Sequence, residues 1–178
     1  MKRKILLTVT LALTLAAMAG CGNKEDTAVS ETTESITEES ADADVSELTV
    51  RFGDDGEPFT LHLYDNDTAK TIAGFVGMGD LRLPIYHYDD YDNWEVMQYY
   101  DIPERYEIPQ DPETVTSEKA GEVYFAEPNR IVLYYGDADV TAEYTKVGYF
   151  DYSEDFASAV ADNPVLEGWG NKIVVISK

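Results

Sequence analysis

Apolar and polar residues alternate over Leu48-Thr49-Val50-Arg51-Phe52 and again over Phe59-Thr60-Leu61-His62-Leu63. A period of two puts one face of each segment in a core and the other in water, so both read as strands. Gly53-Asp54-Asp55-Gly56 between them is turn chemistry, and the pair predicts a hairpin. The period then changes. Ala69, Ile72, Ala73 and Val76 follow i, i+3, i+4, i+7, which is one face of a helix. Asp65-Asn66-Asp67 offers its N-cap and Gly77-Met78-Gly79 its end. Leu81 to Tyr86 predicts a third strand, which Pro84 confines to an edge or a bulge.

Beyond this point the pattern weakens. His87 to Asp92 reads as an acidic, Tyr-rich loop, Trp94 to Tyr100 as a short helix, and the stretch with Pro103, Pro109 and Pro112 as a loop. Gly121 to Ala126 and Arg130 to Tyr135 predict two strands around Glu127-Pro128-Asn129. Another strand is expected from Tyr144 to Phe150. Phe156, Ala159 and Val160 share one face of a second helix over 154–161, which stops before Asn163-Pro164. Lys172 to Ile176 predicts the last strand. Strands dominate, with one helix early and one late, so the expected fold is mainly β: a small, closed antiparallel barrel capped by two helices.

Residues 1–47 carry a different pattern. Lys2, Arg3 and Lys4 precede an apolar run from Ile5 to Ala17, broken only by Thr8, Thr10 and Thr14. Small residues then lead to Cys21. A basic start, a short apolar stretch and small residues at the cut form a secretory signal peptide. A spanning helix would need about 20 apolar residues, and this run is shorter and rich in Thr. Cys21 directly after Ala19-Gly20 resembles the lipobox of bacterial lipoproteins, although Met18 stands where that family usually has Leu. The resemblance implies cleavage before Cys21 and a diacylglycerol on its thiol. Two acyl chains give lasting attachment, so the expected location is extracytoplasmic, anchored to the cell membrane. Cys21 is the only Cys, so the rest of the chain folds without a disulfide.

Residues 22–47 contain no aromatic residue, nine acids and one Lys. Such a composition buries too little apolar surface to offset the entropy of ordering, and it reads as a disordered acidic tether. As a flexible coil it would reach about 25–30 Å. The whole chain has a net charge of −22, and residues 48–178 alone hold nine bases against 26 acids, a net charge of −17. That balance argues against nucleic acid as a partner. It suits a solvated acidic surface or a cationic ligand. All 13 Tyr lie beyond residue 47, and about 130 residues make one domain with a workable core.

Several segments together resemble the bacterial cyclophilin-like proteins. They are Asp65-Asn66-Asp67-Thr68-Ala69 at the first helix, Leu83-Pro84 in the next strand, Gly121-Glu122-Val123-Tyr124, Tyr134-Tyr135-Gly136-Asp137, and Val147-Gly148-Tyr149-Phe150 before the second helix. The resemblance covers about residues 48–177 and implies a cyclophilin-type barrel. True cyclophilins, which are prolyl isomerases, share a Phe-His-Arg segment carrying the catalytic Arg and a Gln-Gly-Gly-Asp segment. Neither occurs here. Arg82 is the only Arg near the first position, and its surroundings, Leu81-Arg82-Leu83-Pro84, do not match.

Other chemistry is also missing. There is no G-x-S-x-G elbow, no phosphate-binding Gly-rich loop, and no zinc spacing around His62 and His87. No catalytic residue, cofactor or metal is therefore assigned. The candidate ligand-binding residues are Arg82, the loop tyrosines Tyr86, Tyr88 and Tyr91, and the strand tyrosines Tyr124 and Tyr134. Asp89, Asp90 and Asp92 could hold calcium only weakly, since the EF-hand spacing is absent. By alternation Tyr124 and Phe125 face opposite ways, as do Tyr134 and Tyr135, so one of each pair is core and the other either lines a groove or is covered surface. Three readings follow: a monomeric, membrane-anchored domain without isomerase chemistry that binds an unidentified peptide or small ligand; a divergent prolyl isomerase; and a glycan-binding surface module. An isomerase needs an Arg beside an apolar groove, and a glycan binder an exposed Tyr pair with acids beside it.

Overall fold

The computed structural model describes residues 46–85, 95–168 and 170–178. Cys21 and the acidic segment up to residue 45 lie outside these residues. The first hairpin forms as its alternation predicts. Strand β1 (Glu47–Phe52) pairs antiparallel with β2 (Pro58–Leu63), with Glu47 opposite His62 and Val50 opposite Phe59. Glu47 thus belongs to the sheet and not to the acidic segment before it. Helix α1 (Asp67–Gly77) follows, and its N-cap Asn66 accepts a hydrogen bond from the Ala69 backbone N–H. Ala69, Ile72, Ala73 and Val76 are buried, the face that the helical spacing requires.

The remaining elements are β3 (Leu81–Ile85), β4 (Met97–Asp101), β5 (Glu113–Val115), β6 (Glu122–Ala126), β7 (Arg130–Tyr134), β8 (Ala142–Phe150), α2 (Glu154–Ala161) and β9 (Lys172–Ser177). The hydrogen-bonded sheet runs β3-β9-β1-β2-β8-β6-β7-β4, with β5 added beside β8. Every ladder in it is antiparallel. Strand β9 is inserted between β3 and β1. The mainly β, antiparallel architecture with two helices agrees with the sequence. The ladder does not close, however: β3 and β4 end the path and pack side by side without pairing. Pro84 lies in β3, an end strand, where a missing N–H is tolerated.

One apolar cluster underlies the sheet and a second covers part of its other face. The larger holds Val50, Leu61, Ile72, Leu133, Phe150, Phe156 and Val174 among others. At one end of it Phe52, Phe59, Phe150 and Phe156 form a ring cluster, with the Phe150 and Phe156 centroids 4.7 Å apart. Burying one such ring contributes about 1.5–3 kcal/mol. The second cluster holds Met97, Tyr99, Tyr124, Val132, Tyr134 and Tyr144. It lies on the opposite face of β6, β7 and β4, since Phe125 belongs to the first cluster and Tyr124 to the second. Val115 of β5 and Ala142 of β8 pack against it.

Strand β4 occupies part of the segment expected to be helical. Met97 to Tyr100 are all buried, and Met97 and Tyr99 join the second cluster while Tyr100 joins the first. A strand buried on both faces loses the polar alternation that would mark it. Strand β5, in the stretch expected to be loop, is three residues long and largely exposed.

Candidate functional site

The first requirement is that β2 and β8 lie close together. His62 stands opposite Tyr149 across their ladder, and Leu63 opposite Gly148. A Cβ at Gly148 would sit 2.1 Å from the His62 carbonyl oxygen, so only glycine permits the approach. Tyr149 also stands opposite Glu122 on β6, and His62 opposite Glu47 on β1. One row of side chains, Glu47–His62–Tyr149–Glu122, therefore crosses the outer face of four strands. Tyr64, two residues after His62, falls on the same side.

The row is ordered by direct contacts. The His62 and Tyr149 rings stack with centroids 5.1 Å apart and planes at 29°. The Tyr64 ring lies 5.8 Å from that of Tyr149. His62 Nδ1 is 3.1 Å from Glu47 Oε1, and Nε2 is 3.4 Å from Asp151 Oδ2. Glu122 Oε2 accepts from the Tyr124 hydroxyl at 2.7 Å and from the Lys119 backbone N–H at 2.6 Å. Tyr64 and Tyr149 remain 38% and 40% exposed. Partial burial, and then the neighbouring Glu122 and Tyr149, push the Tyr64 hydroxyl above its ordinary pKa.

Tyr64 is also part of a cavity of about 510 Å³. Asn66, Asp67 and Thr68 at the start of α1 form one wall, Pro109, Gln110, Asp111 and Glu113 before and within β5 a second, and Thr145 and Lys146 of β8 a third. Three hydrogen bonds brace the walls. Thr68 Oγ1 donates to the Pro109 carbonyl at 2.6 Å, and the Asp111 N–H donates to Thr145 Oγ1 at 3.0 Å. Asn66 Nδ2 donates to the Lys146 carbonyl at 2.9 Å. Asp67, Asp111, Glu113 and Lys146 make no ion pair with another described residue, so their charges face the cavity mouth and solvent. A preformed concave site with a few convergent polar groups is the usual form of a small-ligand site.

The residues singled out from sequence fall elsewhere. Arg82 holds Asp54 in a two-pronged pair, Nε to Oδ1 at 2.8 Å and Nη2 to Oδ2 at 2.8 Å. This bond draws the Asp54 carboxyl below its usual pKa. Arg82 also borders a second cleft of about 340 Å³, with Pro84, Ile102, Pro103 and Pro128. Tyr124 and Tyr134, expected to offer one face to a groove, are only 2% and 0% exposed. The second cluster covers the face left for that groove, and burial raises both phenol pKa values. Tyr134 and Tyr144 hydroxyls meet at 3.3 Å. Tyr86, Tyr88, Tyr91 and the three loop aspartates lie outside the described residues.

Tyr64 and Tyr149 were not singled out from sequence. The i, i+2 pair His62 and Tyr64 pointed outward from a strand, but Tyr149 joins it through a pairing no local pattern announces. A buried acid was missed as well. Glu118 is fully buried; Oε2 accepts from the Val140 N–H at 3.3 Å and Oε1 has no partner. Among the described residues no three His, Cys, Asp or Glu side chains gather as a metal site, and no helix is long and apolar enough to cross a membrane.

Comparison with known proteins bears on the fold. The model of a family described as the cyclophilin-like family matches residues 52–167. No curated protein matches the sequence. Among solved structures, McbB in complex with tryptophan superposes with a TM-score of 0.53 at 15% identity, over 74% of this chain and 44% of McbB. This chain thus spans less than half of that protein. The solution structure of the hypothetical protein AF2241 from Archaeoglobus fulgidus gives a TM-score of 0.48 at 15% identity, over 74% of this chain and 93% of that one.

Proposed function

The chain belongs to the cyclophilin-like family, and from that premise we propose that it is a membrane-tethered, extracytoplasmic binding domain without isomerase chemistry. Its ligand is a small molecule held in the cavity between α1, β5 and β8. The observation that carries this reading is the cavity itself. It is braced by hydrogen bonds among its walls, yet its charged side chains keep no partners within the described chain. The Arg82 guanidinium, the nearest candidate for an isomerase cation, is engaged by Asp54. A guanidinium paired in this way has its charge compensated by a carboxylate. Lipid attachment at Cys21 rests on the basic start, the apolar run and the small residues before it.

Three experiments test this reading. Gln110 is exposed at the cavity wall, so Gln110→Trp fills the space without touching the core. A thermal-shift screen of small polar compounds should find ligands that stabilise the full chain and lose their effect in Gln110→Trp. Acceleration of X-Pro isomerisation that falls on Arg82→Ala would overturn the reading in favour of a divergent isomerase. For the anchor, Cys21→Ser should leave the protein unprocessed or released from membranes. A mature N-terminus other than Cys21 would refute lipidation.

A further inference from the structure

We propose that the exposed Tyr64–Tyr149 pair and the adjoining cavity bind a saccharide that is neutral or amine-bearing, and not an acidic one. The inference rests on the cavity being a ligand site and adds the class of ligand. Tyr64 is the joint between the two features, because it stands in the aromatic row and lines the cavity. Two tyrosines left about two-fifths exposed on a strand surface, Tyr149 backed on one side by the stacked His62 ring, offer an apolar platform to the C–H face of a pyranose ring. The edge of that ring would then meet polar groups. Asn66, Gln110 and Asp111 at the cavity supply amide and carboxylate groups able to pair with neighbouring hydroxyls. An exposed tyrosine pair beside acids is the arrangement a glycan binder requires, here assembled from residues 85 positions apart in sequence.

Charge selects among saccharides. Asp67, Asp111 and Glu113 at the cavity and Glu122 beside Tyr149 outnumber the single Lys146. A uronate would be repelled. An ammonium on the ring would be attracted by the carboxylates and by the tyrosine faces. The platform is built before the ligand arrives. The Tyr64 N–H donates to the Val147 carbonyl at 3.0 Å, and Gly148 holds the two strands at their close spacing. Such preorganisation lowers the ordering cost of binding.

The test is calorimetric titration of the full chain in detergent micelles with tetramers of glucosamine, N-acetylglucosamine and galacturonate. The glucosamine tetramer should bind most tightly, the N-acetylated one more weakly, and the uronate not at all. Tyr149→Ala should weaken binding by about tenfold, the scale of one lost aromatic contact. Tyr64→Phe and Tyr149→Phe keep the platform and should bind as the native chain does. Should Tyr149→Ala fail to fold, Tyr64→Leu reads the same loss. Uronate binding as tight as that of glucosamine would overturn the proposal, and so would saccharide binding indifferent to both tyrosines. If no saccharide binds while another compound stabilises the chain and is blocked by Gln110→Trp, the saccharide assignment fails and the cavity survives. If nothing responds to Gln110→Trp, both fail.

Discussion

The two faces of the sheet formed by β6, β7 and β4 are built from different chemistry. On one side Phe52, Phe59, Phe150 and Phe156 pack ring against ring, and Phe156 is wholly buried. On the other Tyr124, Tyr134 and Tyr144 form a second set of rings, with the Tyr124 and Tyr144 centroids 4.9 Å apart. The first cluster contains nothing that titrates near neutrality. The second carries hydroxyls and stands beside two acids, Glu118 and Glu122, and burial makes the charged form of Glu118 costly. Glu122 is bonded to the Tyr124 hydroxyl and the Lys119 N–H. Glu118 is satisfied at one oxygen only. One face of the fold should therefore be stable in a pH-independent way, and the other should respond to protons.

The sharpest way to break this contrast is Phe156→Ala. It should cost about 3–5 kcal/mol, read as a lower denaturant midpoint, with the same loss at pH 5 and pH 8. Glu118→Gln should act differently. Burial, and then the facing carboxylates of Glu122 and Asp139, raise the Glu118 pKa. Tyr124 and Tyr134 face it from β6 and β7 as neutral phenols. A raised pKa means that the folded state holds the proton more tightly than the unfolded state. The contribution is full below the ordinary glutamate range and is lost as pH rises through the folded value. The native chain should weaken over that window. Glu118→Gln should flatten the slope and raise the melting temperature at pH 7; an unchanged slope would show that Glu118 is not the responsive group. Tyr134→Phe should have the smallest effect. Loss of its contact with the Tyr144 hydroxyl should cost about 0.5–1.5 kcal/mol, and a cost near that of Phe156→Ala would erase the distinction between the two faces.

The same two-sided burial explains what sequence reading reached and what it missed. The first hairpin, α1 and α2 each have one wet and one dry face, so their periods are visible, and Ile72 and Phe156 are core as expected. Strand β4 has two dry faces, and its Met-Gln-Tyr-Tyr run carries no period to read. The alternation of Tyr124 and Phe125 was correct, but alternation tells only that two side chains diverge. It does not tell that a second cluster covers the outer one. The exposed row failed to show for a different reason. Tyr64 and Tyr149 meet because β2 pairs with β8, a contact between segments far apart in sequence, of which Asn66 and Lys146, 80 residues apart, are another instance.

The position of β9 bears on how the molecule can come into being. Lys172–Ser177 fills the slot between β1 and β3, with Val50 opposite Ile176 and Leu83 opposite Val174. Any process that delivers the chain from its N-terminus, whether synthesis or passage across a membrane, supplies β1 and β3 long before their shared partner. Until Lys172–Ser177 emerges, both strands have open backbone edges and the larger cluster lacks Val174 and Ile176. Closing so long a loop is entropically slow. The sheet is therefore continuous from β3 to β1 only once Lys172–Ser177 is in place.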